Sequence, residues 1–194
     1  MIDETALTRI IGEFHTSWGY AAGMEKLPGF LPGAKTFPPF ERETPKGKVT
    51  IVDTYFGKRD SGGMAVVSLS DRPILLIQYH GGESPKVPDS EVSEINGFLK
   101  EALQKAKGAR LPGVGREPVA NHESGVYGYY GIGVGDIWNL RWVDLVYRTN
   151  ASNYIRHILT FQRREVLNDV LLRGLGELSS EIIFYHVLTH QRLQ

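Results

Sequence analysis

The feature that most constrains this chain is a set of three β-rich runs joined by short, turn-forming links. KVTIVDTYFG (48–57), MAVVSL (64–69) and ILLIQYH (74–80) are separated by KRDSGG and by Ser70-Asp71-Arg72-Pro73. Runs of this kind between turn residues read as strands of an antiparallel meander. In the first run Val49, Ile51, Asp53 and Tyr55 share one face, with Val52 and Phe56 opposite. The third ends in Tyr79-His80-Gly81-Gly82, where the glycines would permit positive φ as the chain leaves the sheet.

Helical spacing flanks the meander. Leu7, Ile10, Ile11, Phe14 and Trp18 recur at intervals of three and four, so residues 3–18 form an amphipathic helix capped by Asp3. A second helix is predicted over 89–107. Val92, Ile95, Leu99, Ala102, Leu103 and Ala106 make its apolar stripe, with Glu91 and Glu94 near its positive end and Lys105 and Lys107 near its negative end. Between the first helix and the meander lies a stretch with prolines at 28, 32, 38, 39 and 45. Proline removes amide donors, so neither a helix nor a central strand fits there. Phe30, Leu31, Phe37 and Phe40 make it a loop that drapes over the core.

The second half reads as a repeat of the first. VYGYYGIG, NLRWVDLVYR and NYIRHILTFQRREV are strand-like, and Leu171, Leu175, Leu178, Ile182, Tyr185 and Thr189 keep helical spacing in a last segment. The expected architecture is α+β: duplicated α-β-β-β units, about 1–88 and 89–166, forming a six-stranded antiparallel sheet with helices on one face. A C-terminal helix follows over 168–192.

Composition narrows the function classes. The 194 residues carry 22 basic and 22 acidic side chains, without the basic stripe that phosphate contacts demand, so direct nucleic-acid binding is not expected. No cysteine is present, which excludes disulfides, zinc–thiolate sites and thiol catalysis. The acidic start MIDETALTRIIGEF is unlike a signal peptide and no run of about 18 apolar residues occurs, so a cytoplasmic, non-membrane protein is expected. GVGREP and GYYGIGVGD lack the context of phosphate-binding turns, and no Gly-x-Ser-x-Gly elbow exists.

The ordered pieces Asp53-Thr54-Tyr55-Phe56-Gly57, Gly62-Gly63-Met64-Ala65-Val66, Pro73 through Tyr79-His80-Gly81-Gly82, and Phe98 through Leu103 resemble a family of uncharacterised bacterial domains. Members sometimes follow a helix-turn-helix module in transcription regulators. The resemblance runs from about Phe14 to Arg164 and implies a sensing role, with no catalytic residues to transfer. Gln162-Arg163-Arg164 stands where that family often has a second His-Gly-Gly, and this sequence shows no helix-turn-helix module.

The candidate residues follow from these placements. His80 and Asp53 are the acid/base pair of an enzymatic reading, although His80 has no orienting partner beside it in sequence. Asp53, like Asp144, would point into the layer and need a partner, for which Arg141, Arg148 and His157 are candidates. Tyr55, Tyr79, His80, Tyr129, Trp138 and Trp142 are the expected ligand-binding set, because tyrosine and tryptophan join flat apolar area to a polar tip. His186 and His190, four apart on a predicted helix, have metal-ligand spacing, but no metal or cofactor is expected without a third ligand and a catalytic Glu. The favoured function is a non-catalytic domain binding a small ligand or a protein. The alternatives are a small-molecule enzyme and a homo-oligomeric scaffold; a homodimer is compatible with the residues, which leave the oligomeric state open.

Overall fold

A computed structural model describes residues 2–57, 59–105, 119–149 and 182–193. Helix α1 (Glu4–Ser17) starts where predicted: the Asp3 carboxylate accepts a 2.9 Å hydrogen bond from the Ala6 amide. It stops at Trp18, which is extended, followed by Gly19 at φ +53°. Helix α2 (Asp89–Lys105) places Ile95, Phe98, Leu99 and Ala102 in the interior.

Ten strands follow this frame: β1 (Leu27–Pro28), β2 (Lys35–Thr36), β3 (Phe40–Thr44), β4 (Gly47–Gly57), β5 (Asp60–Leu69), β6 (Arg72–Glu83), β7 (Val119–Ser124), β8 (Tyr127–Val134), β9 (Arg141–Arg148) and β10 (Ile182–Arg192). They form one sheet in the order β1-β2-β4-β5-β6-β10-β9-β8-β7, with β3 also on β4. Every pairing among the described residues is antiparallel.

The α+β class with an antiparallel sheet therefore stands, but among the described residues the sheet has ten strands and not six. Three of the additional strands lie in the proline-rich stretch. β2 and β3 pair with opposite ends of β4, and Pro38-Pro39 interrupts the edge between them. Phe37 and Phe40 are buried beneath this cover, while Phe30 stays 78% exposed.

A second correction concerns 168–192, expected as a helix. Its residues from Ile182 onward form β10, which pairs with β6 on one side and β9 on the other; 168–181 lies outside the described residues. A central strand with apolar residues on both faces loses the alternation that marks a half-buried one, so its apolar run can imitate helical spacing. His186 and His190 are thus separated along an extended strand by about 13 Å, at 3.3 Å per residue, and not by one helical turn. The expected third strand at 153–166 also lies outside the described residues. Among the described residues, the strand that pairs with β9 on the edge away from β8 is β10.

Both helices cover the same face, over different strands. Leu7, Ile10, Ile11 and Phe14 of α1 pack on Val49, Ile51, Val67, Leu75 and Ile77 of the meander. Residues Ile95, Phe98, Leu99 and Ala102 of α2 pack on Tyr127, Tyr129 and Val146. The two apolar cores leave a seam between them. Trp142 borders both. No helix among the described residues is long and apolar enough to cross a membrane.

Candidate functional site

The seam opens into a cavity of about 730 Å³ between the two helices and the inner sheet face. Small residues create the space: Gly57, Ser61 and Ala65 face it from β4 and β5. Around it, three carboxylates approach from three different strands.

Asp53 projects from β4. The Tyr79 hydroxyl, on β6, donates to its Oδ1 at 2.5 Å and bridges the intervening strand. That reach depends on Gly63 of β5, since a Cβ there would sit 2.6 Å from the Tyr79 hydroxyl oxygen. The second half contains a like arrangement. Asp144, 6% exposed, accepts from the Tyr129 hydroxyl and from the Trp142 indole, both at 2.6 Å on Oδ1. Gly131 provides the clearance, because a Cβ on it would lie 2.6 Å from the Tyr129 hydroxyl oxygen and 2.5 Å from the Trp142 ring.

The third carboxylate is Glu83, at the end of β6 and 3% exposed. Its Oε1 accepts from Asn96 Nδ2 at 2.8 Å, and Asn96 Oδ1 accepts from the Tyr20 hydroxyl at 2.6 Å. Glu83 Oε2 is buried and has no hydrogen-bond partner among the described residues.

Burial, reinforced by these carboxylates, raises the tyrosine hydroxyls far above their ordinary range: Tyr79 beside Asp53, Tyr129 beside Asp144 and Tyr20 near Glu83. They remain neutral donors at any physiological pH, so each pair combines an uncharged hydroxyl with a carboxylate acceptor. Basic groups occupy the periphery. Arg59 pairs with Asp89, whose side chain is 93% exposed, and donates to the Ser84 and Val87 carbonyls. Lys26 lies over the Tyr55 ring at 4.9 Å and Lys100 over Tyr20 at 5.1 Å.

Of the residues singled out in sequence, Asp53, Tyr55, Tyr79, Tyr129 and Trp142 line this one cavity. Tyr55 also stacks on Phe37, with centroids 5.6 Å apart. Trp138 stands away from it in the β8–β9 turn, beneath the Arg192 guanidinium. His80 is exposed and points to the opposite face of the sheet from Tyr79 and Asp53, because neighbouring residues of a strand face opposite sides. The pair proposed for acid/base chemistry is therefore split across the sheet. Asp53 finds Tyr79 as its partner, and Arg148 instead pairs with Glu91 at 2.7 Å.

Nor does the strand end at Gly81-Gly82. β6 continues through both glycines to Glu83, and neither has positive φ. Gly82 serves close approach, since a Cβ there would collide with the Arg59 carbonyl oxygen. Glu83, Asn96 and Tyr20 escaped the sequence reading. The signal for Glu83 was the two-residue phase Ile77, Tyr79, Gly81, Glu83, hidden by ending the strand at His80.

No protein-family model, curated protein or solved structure matches the chain. Among the described residues, no group of three or more His, Asp or Glu is placed to hold a metal ion.

Proposed function

We propose that the chain is a small-molecule-binding domain, sensor-like and non-catalytic, whose ligand occupies the cavity between α1, α2 and the inner sheet face. The observation that carries this reading is the convergence of three carboxylates and their aromatic neighbours on a single space of about 730 Å³. That volume falls within the range of small-ligand sites, as does an apolar wall carrying a few placed polar groups. The like arrangements at Asp53–Tyr79 and Asp144–Tyr129 accord with an internal duplication whose two copies face one pocket. The resemblance to domains found in transcription regulators favours sensing over turnover. The separation of His80 from Asp53 removes the support for the acid/base alternative.

The scaffold alternative requires exposed Trp and Tyr, whereas the large exposed hydrophobics among the described residues are Leu27, Phe30, Leu31, Val52, Phe56, Met64 and Val126. The test is a thermal-shift screen of a metabolite library against the unaltered protein and Ser93→Trp, which places bulk at an exposed position on the cavity wall. A ligand at a hundred times its Kd stabilises by about 2.7 kcal/mol, or roughly 5–10 °C for a chain of this size. Hits whose shift is lost in a folded Ser93→Trp protein are expected. A library without hits, or hits indifferent to Ser93→Trp, sinks the reading.

A further inference from the structure

We infer that the cavity ligand is an organic cation: an apolar or aromatic body carrying an ammonium or amidinium group that docks on Glu83. This rests on the binding-domain reading and specifies what the site takes.

One buried acceptor at the cavity is left over. Buried polar atoms are nearly always hydrogen-bonded, and an unsatisfied one calls for a cause. Glu83 Oε2 is such an atom, on a side chain 3% exposed that lines the cavity. Its neighbours hold it in that condition. The Tyr20 hydroxyl is directed to Asn96 Oδ1, and Asn96 Nδ2 serves Glu83 Oε1 and the Val92 carbonyl. With those donors engaged elsewhere, Oε2 lacks a donor that a ligand can bring. Turning the terminal carboxylate toward the cavity involves only a broad sp³–sp² torsion.

The surrounding charge selects the sign of that donor. Asp53 and Asp144 line the same cavity, so it holds three carboxylates on the sheet side. Among the described residues its basic groups stand away from that oxygen, with Arg59 on Asp89 and the two lysines over the Tyr55 and Tyr20 rings, and none of them donates to Glu83 Oε2. A carboxylate ligand placed against Glu83 would add a fourth negative charge, whereas a cation is attracted by all three. Tyr79, Tyr129 and Trp142 direct their polar hydrogens to the aspartates, which leaves ring surface for the apolar body and, at close range, for a cation–π contact.

The experiment compares four probes that share one skeleton: 3-phenylpropylamine, its trimethylammonium analogue, 3-phenylpropanol and 3-phenylpropionate. Each is titrated calorimetrically against the unaltered protein, so the comparison does not depend on how any variant folds. The amine should bind more tightly than the alcohol, and the carboxylate least of all. Glu83→Gln, nearly isosteric, should weaken the amine by roughly 10- to 100-fold, the span of a hydrogen bond to a charged group, and leave the alcohol little changed. The quaternary analogue, which cannot donate, should fall between amine and alcohol. Binding of the propionate as tight as that of the amine, indifference of the amine to Glu83→Gln, or no binding by any of the four overturns the inference. These failures are separable from failure of the binding-domain reading. If library hits sensitive to Ser93→Trp persist, the cavity binds ligands and only the assigned charge is wrong.

Discussion

Removing the Tyr129 hydroxyl should cost the protein much more than removing that of Tyr79, although each donates to an aspartate on the same sheet face. Tyr129 is 1% exposed and Asp144 is 6% exposed, so water cannot replace the lost donor in Tyr129→Phe. A hydrogen bond to a charged group contributes about 1.5–3 kcal/mol, and Trp142 still serves Asp144, which sets the expected loss near 2 kcal/mol. For a chain of this size that is a fall in Tm of about 4–8 °C. Tyr79 and Asp53 are only half-buried and open on the cavity, where solvent can hydrate the carboxylate, so Tyr79→Phe should cost about 1 kcal/mol or less. Urea unfolding of both variants followed by circular dichroism gives the two losses, provided the slope m is unchanged. Adding Asp144→Asn to Tyr129→Phe completes a double-mutant cycle, with an expected coupling of at least about 1 kcal/mol. Equal losses at the two tyrosines, or a coupling near zero, would refute the claim that burial decides the strength of these pairs.

Two further outcomes rest on single side chains. His190 is buried, its Nδ1 lies 2.7 Å from the Ile137 carbonyl, and burial lowers its pKa to about 4, against the smaller opposing effect of that backbone bond. The unfolded chain therefore binds the proton more tightly, and stability present above pH ~6.5 is lost as the pH falls toward 4, by up to about 3 kcal/mol; His190→Asn should flatten that part of the stability–pH curve. Gly63→Ala should destabilise by about 1–3 kcal/mol through contact with Tyr79 and the Thr54 carbonyl. At the exposed Gly97 of α2 a Cβ would meet nothing within 4 Å, so Gly97→Ala should instead stabilise by about 0.5–1 kcal/mol in the same urea titration.

The sequence reading succeeded where one period dominated. α1 and α2 each have a single apolar stripe, and β4 to β6 alternate where they pack under α1, with Val49, Ile51, Ala65, Val67, Leu75 and Ile77 buried. It failed at β10, whose neighbours on both edges are strands distant in sequence. Nothing local in IIFYHVLTHQR reveals that β6 and β9 will flank it. It failed again at Gly81-Gly82, where the glycines were expected to permit positive φ at the strand's end although the demand at Gly82 is for close approach of the Arg59 backbone. The aromatic half of the site was legible from residue type, and four of its members, Tyr55, Tyr79, Tyr129 and Trp142, do meet in one cavity. The Glu83–Asn96–Tyr20 chain was not legible. It joins a strand, a helix and the segment after α1, at sequence separations of 13 and 76.

The position of the site follows from how the hydrophobic effect is divided. An unpaired carboxylate inside either apolar core would lose its hydration without compensation, at a cost of several kcal/mol. α1 covers one half of the sheet and α2 the other; Asp53, Glu83 and Asp144 lie on strands that also feed those two cores, at the positions where these strands line the cavity between them. There Asp53 and Asp144 are tolerated because tyrosine and indole donors meet them, and the glycines opposite give those rings room to lie flat. Glu83 is the exception in the same seam. Asn96 supplies one of its oxygens and no described residue supplies the other. Among the described residues, Glu83 Oε2 is the carboxylate oxygen that is buried without a hydrogen-bond partner, and no oxygen of Asp53 or Asp144 is in that condition. Under the proposed cation-binding role, that Glu83 oxygen is where the ligand's donor would meet the fold.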